Sequence, residues 1–254
     1  MKHLILGVLP PQSLNLSVQS ITFAKAFSRY FNFSLNQKNK VSSYIIKVYD
    51  ESGNALSEDN YIEYTHKELI EFYENVDFDF MVFFCFKSVK NQYLIEVNLY
   101  SYQRLLFFAE RQYILSKNNF ELIYKKIIED LFNSLDIEFY WDKVFIPKYS
   151  DIWELSEIIE NDGLFFRFVN NELFLNDLLN LYIKNKSSFT FQYLLEKLLI
   201  TENIFITTKF IEKIDSFEID NYEIILMMVI FLLQINLPEK AEFYLKRVWD
   251  NSSN

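Results

Sequence analysis

Apolar positions recur along this chain with two periods, and the change from one to the other divides it. His3 to Leu9 is a short apolar run closed by Pro10 and Pro11, and it reads as a buried strand. Ser17 to Asn36 places Val18, Ile21, Phe23, Phe27, Tyr30 and Phe31 at three- and four-residue intervals, which predicts a helix. Val41 to Tyr49 is β-branched and aromatic and reads as strand; Asp50 to Asn60 is polar, holds Gly53 and reads as loop. Thr65 with Glu68 three residues on forms a capping box, in which hydroxyl and carboxylate satisfy backbone amides reciprocally, so a helix is expected from His66 to about Asn75. Asp79 to Lys87, Gln92 to Tyr102 and Leu105 to Leu115 follow as three strands. Their connections are polar and two to four residues long, which permits only hairpins and makes them an antiparallel meander. Asn119 to Leu135 returns to helical spacing.

Past Pro147 no strand pattern recurs. Asp151 with Glu154 signals a helix N-terminus, and Gly163 suits the stop, where a left-handed conformation is needed. Helices are predicted over 171–185, 188–200, 203–215, 220–235 and 238–250, and their short polar joints imply antiparallel hairpins. The run Ile224 to Leu233 is ten residues, against the roughly 20 that a bilayer core requires, and reads as a buried helix. The expected order is β-α-β-α-β-β-β-α and then helices alone. That is an α/β domain with a mixed sheet over 1–146, and an all-α helical-hairpin domain over 147–254.

Composition narrows the function classes. The 254 residues are 50% hydrophobic and 19% aromatic with three Gly and four Pro, which excludes a disordered or linker-rich chain. The opening apolar run is too short for an export signal, so a cytoplasmic protein without a membrane span is expected. Net charge is −10, but residues 1–49 carry six bases and no acid, whereas 50–79 carry ten acids and one base. The simpler reading is local neutralisation between the two; the other is electrostatic docking of copies or partners. Bases so few and scattered make nucleic acid a poor partner.

Catalytic constellations are scarce. Gly7, Gly53 and Gly163 are too far apart to cradle a phosphate, so nucleotide binding by those loops is not expected. Cys85 sits in the apolar run MVFFCF, where desolvation opposes thiolate formation. His3 and His66 have no ligand partner at metal-binding spacing, so no metal and no cofactor are expected. Asp77 and Asp79 flank Phe78 and read as a solvated joint before a strand, and Asp151, Glu154 and Glu157 read as a solvated helix face. The aromatic load is the remaining oddity. AT-rich coding would supply it without selection; a contact surface for partners would also explain it. The candidate contacts are Phe165, Phe166 and Phe168 in a connector, Trp153 near the joint, and Lys25 and Arg29 on the basic first helix.

Two resemblances rest on particular residues. Ile225, Met228, Leu232, Ala241, Leu245 and Val248 resemble one degenerate tetratricopeptide repeat, with Ala241 at a close helix crossing and Val229 and Asn236 where the usual glycines stand. The opening LILGVLP and the stretch DFDFMVFFCFKSVKNQYLIEVNLYS resemble the N-terminal domain of TolB, over about residues 3–135. TolB is exported and continues into a propeller, whereas this chain continues into helices. The resemblance implies a non-catalytic interaction domain, as in envelope or flagellar-type assemblies, and stacked helical hairpins imply extended partner surfaces. The expected function is therefore a protein scaffold or adaptor, binding other proteins or further copies of itself. The alternative is a regulatory module whose α/β domain senses a small metabolite.

Overall fold

The structure is a computed structural model describing residues 3–14, 17–36, 41–46, 64–65, 67, 69–71, 78–90, 92–101, 106–138, 141, 144–165, 172–201, 203–217, 219 and 221–252. In chain order the elements are β1 (Leu4–Val8), β2 (Gln12–Leu14), α1 (Val18–Asn36), β3 (Val41–Ile45), β4 (Phe80–Val89), β5 (Gln92–Ser101), β6 (Leu106–Leu115) and α2 (Phe120–Ser134). Helices follow: α3 (Tyr149–Phe165), α4 (Glu172–Asn185), α5 (Ser188–Ile200), α6 (Ile204–Asp215), α7 (Tyr222–Gln234) and α8 (Pro238–Ser252). The fold is α+β with a mixed sheet and a helical region. Its contacts divide into two compact units, 1–160 and 161–254, with the division inside α3.

In the first unit the strands run in the order β3-β1-β4-β5-β6. β1 pairs in parallel with β3 and with β4, and parallel pairing needs a crossover, which α1 supplies between β1 and β3. β4, β5 and β6 form the antiparallel meander. One strand was not expected. The first strand ends before the proline pair, as expected, but Leu9 N–H still donates to Val82 O at 2.9 Å, and Gln12–Leu14 form a separate short strand along β4 opposite Cys85–Lys87. Prolines offer no N–H, so they interrupt the ladder without displacing the chain from β4.

Alternation in β4 buries both faces. Phe84 and Phe86 meet Phe27 of α1 at 5.4 and 5.5 Å, and Phe27 meets Tyr124 of α2 at 5.3 Å, edge to face. On the other face Met81 and Phe83 join Leu9, Ile46, Tyr64 and Leu69 in a second core. Tyr64 and Leu69 flank the segment read as a capping box. Leu69 N–H donates to Thr65 O at 3.0 Å, which closes a helical turn, while His66 and Glu68 lie outside the described residues.

Gly163 was expected to stop its helix. α3 instead continues through it to Phe165 and begins earlier, with Lys148 N–H donating to Asp151 Oδ2 at 3.0 Å. Asp151 therefore reaches back from the first turn rather than standing at the cap position.

In the second unit α4 packs on α5, α5 on α6 and α7, and α7 on α8. Ser187, Asn203 and Asn221 cap α5, α6 and α7 through side-chain oxygens that accept amides of the first turn. After α7, Asn236 adopts φ 60°, with Leu237 N–H donating to Leu232 O at 2.8 Å and Asn236 N–H to Leu233 O at 3.1 Å. This double closure turns the chain directly into Pro238 and α8. Among the described residues no helix is long and apolar enough to cross a membrane.

Candidate functional site

The residues singled out from the sequence do not gather in one place. Phe166 and Phe168 lie outside the described residues, and of Phe165 only its position at the end of α3 is described. Lys25 was expected to present charge to a partner; it is 6% exposed and Arg29 is half-buried. The reason is that α1 is covered around most of its circumference, with Thr22 and Ser28 of its polar side buried as well. Trp153 is half-buried, stacks on Tyr149 at 6.0 Å, and donates Nε1–H to Glu157 Oε1 at 3.0 Å. Phe23 of α1 lies 6.2 Å from the Trp153 ring. The indole therefore packs the start of α3 against α1.

Among the remaining sequence candidates, Asp79 and His3 have structural partners. Asp79 Oδ2 accepts from Ile5 N–H at 2.9 Å, so it ties β1 to the start of β4 instead of standing solvated. His3 Nε2 and Ser42 Oγ share a hydrogen bond of 2.8 Å. Cys85 is buried, and Asp77 and His66 lie outside the described residues. Among the described residues no group of three or more His, Cys, Asp or Glu is placed to hold a metal ion.

A polar cluster that the sequence did not reveal lies where β6 meets α2. Asp130 is buried and receives Arg111 Nη1 at 2.7 Å, Lys126 Nζ at 3.0 Å and the Tyr113 hydroxyl at 2.8 Å. Burial pushes the Asp130 carboxyl up, but hydrogen bonds from Tyr113, Lys126 and Arg111, with the guanidinium charge, outweigh it and hold the carboxyl below its ordinary range. Burial and the bond to Asp130 push the Tyr113 hydroxyl far up, so it remains a donor. The Asp130 bond raises Arg111 further. The adjoining cavity, lined by Val97, Leu99, Ile127 and Leu131 besides the cluster, is about 10 Å³, room for a single water. The cluster clamps sheet to helix; small-molecule sites run to several hundred Å³. A partial signal existed: Arg111 and Tyr113 alternate onto one strand face, and Lys126 and Asp130 are four apart on a helix. That the two faces meet is a matter of packing.

Exposed apolar side chains concentrate elsewhere. Of the fifteen large hydrophobics that are exposed among the described residues, nine lie in the shorter unit, 161–254. Phe205 is 85% exposed near the start of α6, and Leu173, Ile200 and Ile204 are exposed as well. The ion pair of Lys209 with Glu172, and Lys213 Nζ on Asn176 Oδ1 at 2.5 Å, tie α6 alongside α4. The run Ile224 to Leu233, expected to be buried, is buried on one side only, because Ile230 and Leu233 face outward. A helix apolar around its whole circumference at the margin of a bundle cannot hide every face.

No family model matches the chain, and no curated protein matches it. Among solved structures, the crystal structure of TolB from Acinetobacter baumannii is similar over 53% of this chain and 29% of that one, at 9% identity and a TM-score of 0.34. The chain thus corresponds to under a third of that protein's length, and a likeness of this size carries no argument about what it does.

Proposed function

We propose that this protein is a non-catalytic scaffold or adaptor whose helical unit, tetratricopeptide-like in its last hairpin, holds partner proteins. The observation that carries the reading is the concentration of exposed large apolar side chains in 161–254, with Phe205 the most exposed. Apolar anchors that stay outside a folded unit contribute to binding far more than to stability. The fully paired Asp130 cluster and its one-water cavity support a reading without bond-making chemistry. A cytoplasmic setting belongs to the same proposal and rests on the apolar pattern of the sequence; membership of an envelope or flagellar-type assembly belongs to it too and rests on the sequence resemblance alone.

The test is purification of the tagged full chain from its native cell. A recurrent protein partner is expected, and Phe205→Ser is expected to lose it while melting at the same temperature as the parent. Equal recovery by the variant counts against the reading.

One observation favours the second reading, a ligand-sensing α/β unit. Ser28 Oγ and Asn32 Oδ1, one turn apart on α1, are buried without a hydrogen-bond partner among the described residues. Such groups are satisfied by a bound water or by a ligand. A small metabolite that raises the melting temperature, with the rise lost in Ser28→Ala, would replace the adaptor reading with this one.

A further inference from the structure

Building on the adaptor reading, we propose that the outward face of α7 seats one amphipathic helix of a partner protein, apolar along its contact side and basic on its flanks. Tyr222, Leu226, Ile230 and Leu233 follow one another at intervals of four, four and three residues, so they form one row along the helix. Tyr222, Ile230 and Leu233 are 58%, 57% and 55% exposed, and Leu226 and the bordering Met227 are half-buried. The opposite side, with Ile225, Met228 and Leu232, is already buried in the unit. The row is an apolar surface beyond what the fold uses.

Size selects the occupant. α7 has 13 residues, and at about 1.5 Å per residue and a helix width of roughly 10–12 Å its outer face amounts to on the order of 200–250 Å². A stable dimer or standard protein interface buries about 800 Å² on each side, which this row does not approach. One docked helix, anchored at i, i+3, i+4 and i+7, matches a strip of this length and width. Met227 adds an unbranched, polarisable side chain that adapts to differing neighbours.

Charge selects the flanks. No charge lies within the row; Glu223 and Gln234 are the polar residues toward its two ends, and 161–254 holds thirteen acidic residues against nine basic ones. Lys and Arg on the incoming helix complement this field, whereas a second copy of the chain, at −10 overall, does not.

The experiment uses the full chain and two fluorescent helical peptides with one shared Leu pattern, carrying Lys in one and Glu in the other at the remaining positions. Anisotropy is expected to show binding of the Lys peptide only, weakening as salt rises. Ile230→Gln is expected to weaken it about tenfold or more, while Leu122→Gln, at an exposed site on α2, leaves it unchanged. Ile230 is exposed, so the variant keeps its fold, which circular dichroism checks, and Leu233→Gln serves as a second variant. Equal binding of both peptides, or indifference to both row variants, overturns the proposal. So does a dimer in sedimentation velocity that Ile230→Gln dissociates, since it assigns the face to a second copy. Should Ile230→Gln leave the peptide bound while Phe205→Ser loses the native partner, the docked helix is refuted and the adaptor reading stands. Retention of the native partner by Phe205→Ser and both row variants counts against the adaptor reading itself.

Discussion

Lys90 holds φ 58° in the two-residue connection between β4 and β5, where Val89 and Gln92 form the last pair. A left-handed conformation costs a side-chain-bearing residue roughly 1–2 kcal/mol, and glycine returns part of that through its freer unfolded chain, about 0.5–1 kcal/mol. Lys90→Gly is therefore expected to stabilise the protein by up to about 1 kcal/mol, seen as a higher urea midpoint with unchanged slope. Asp130 offers a test of opposite sign. Its folded carboxyl titrates below its unfolded value, so its contribution is complete above the unfolded pKa and is lost as pH falls through the folded one. Asp130→Asn is expected to cost roughly 1–3 kcal/mol at pH 7. The gap between variant and parent should close as pH drops from about 4 downward. A gap that persists at lower pH would show that Asp130 acts by packing alone.

At the scale of elements, β1 depends on a residue that looks like an interruption. Gly7 lies mid-strand, and a Cβ there would stand 2.6 Å from Ile46 Cδ1 and 3.1 Å from two Phe78 ring carbons. Ile46 can shift its terminal methyl, but the Phe78 ring has less freedom, so Gly7→Ala is expected to destabilise by about 1–2 kcal/mol, measured by chemical unfolding. Neutrality of that variant would mean that the second core closes loosely over β1. Alternation and turn chemistry made the meander legible: Tyr93, Ile95, Val97 and Leu99 occupy one face as their spacing implies. Spacing did not reveal β2, because three residues after two prolines carry no period of their own, and only β4 gives them a partner. Nor did it reveal that α3 runs through Gly163, since glycine permits a stop without enforcing one.

At the scale of the whole molecule, both units have a buried core, and they differ in what they leave exposed. Rings of α1, α2 and β4 meet in the interior of the first, whereas Phe205, Ile230 and Leu233 stand outside the second. Phe205→Ser is thus expected to change unfolding free energy by no more than about 0.5 kcal/mol, as surface substitutions do. A loss of several kcal/mol would show that Phe205 packs in the core and would remove the main support for the adaptor reading. Candidate contact residues were harder to find from the letters than the fold. Lys25 resembled a surface charge because a helix pattern says which residues share a face, not what covers that face.

Local rules, acting over a few residues, sufficed for the mixed sheet with its meander, for most helix bounds past Pro147, and for the buried setting of Cys85. Periodicity and capping depend on near neighbours and are written in order along the chain. Packing alone decided that Arg111, Tyr113 and Lys126 converge on Asp130, that α1 is enclosed, and that one side of α7 remains outside. Those outcomes follow from which distant surfaces come together, and a hydrophobic period records only that a face wants covering, never whether the fold has a surface left to cover it.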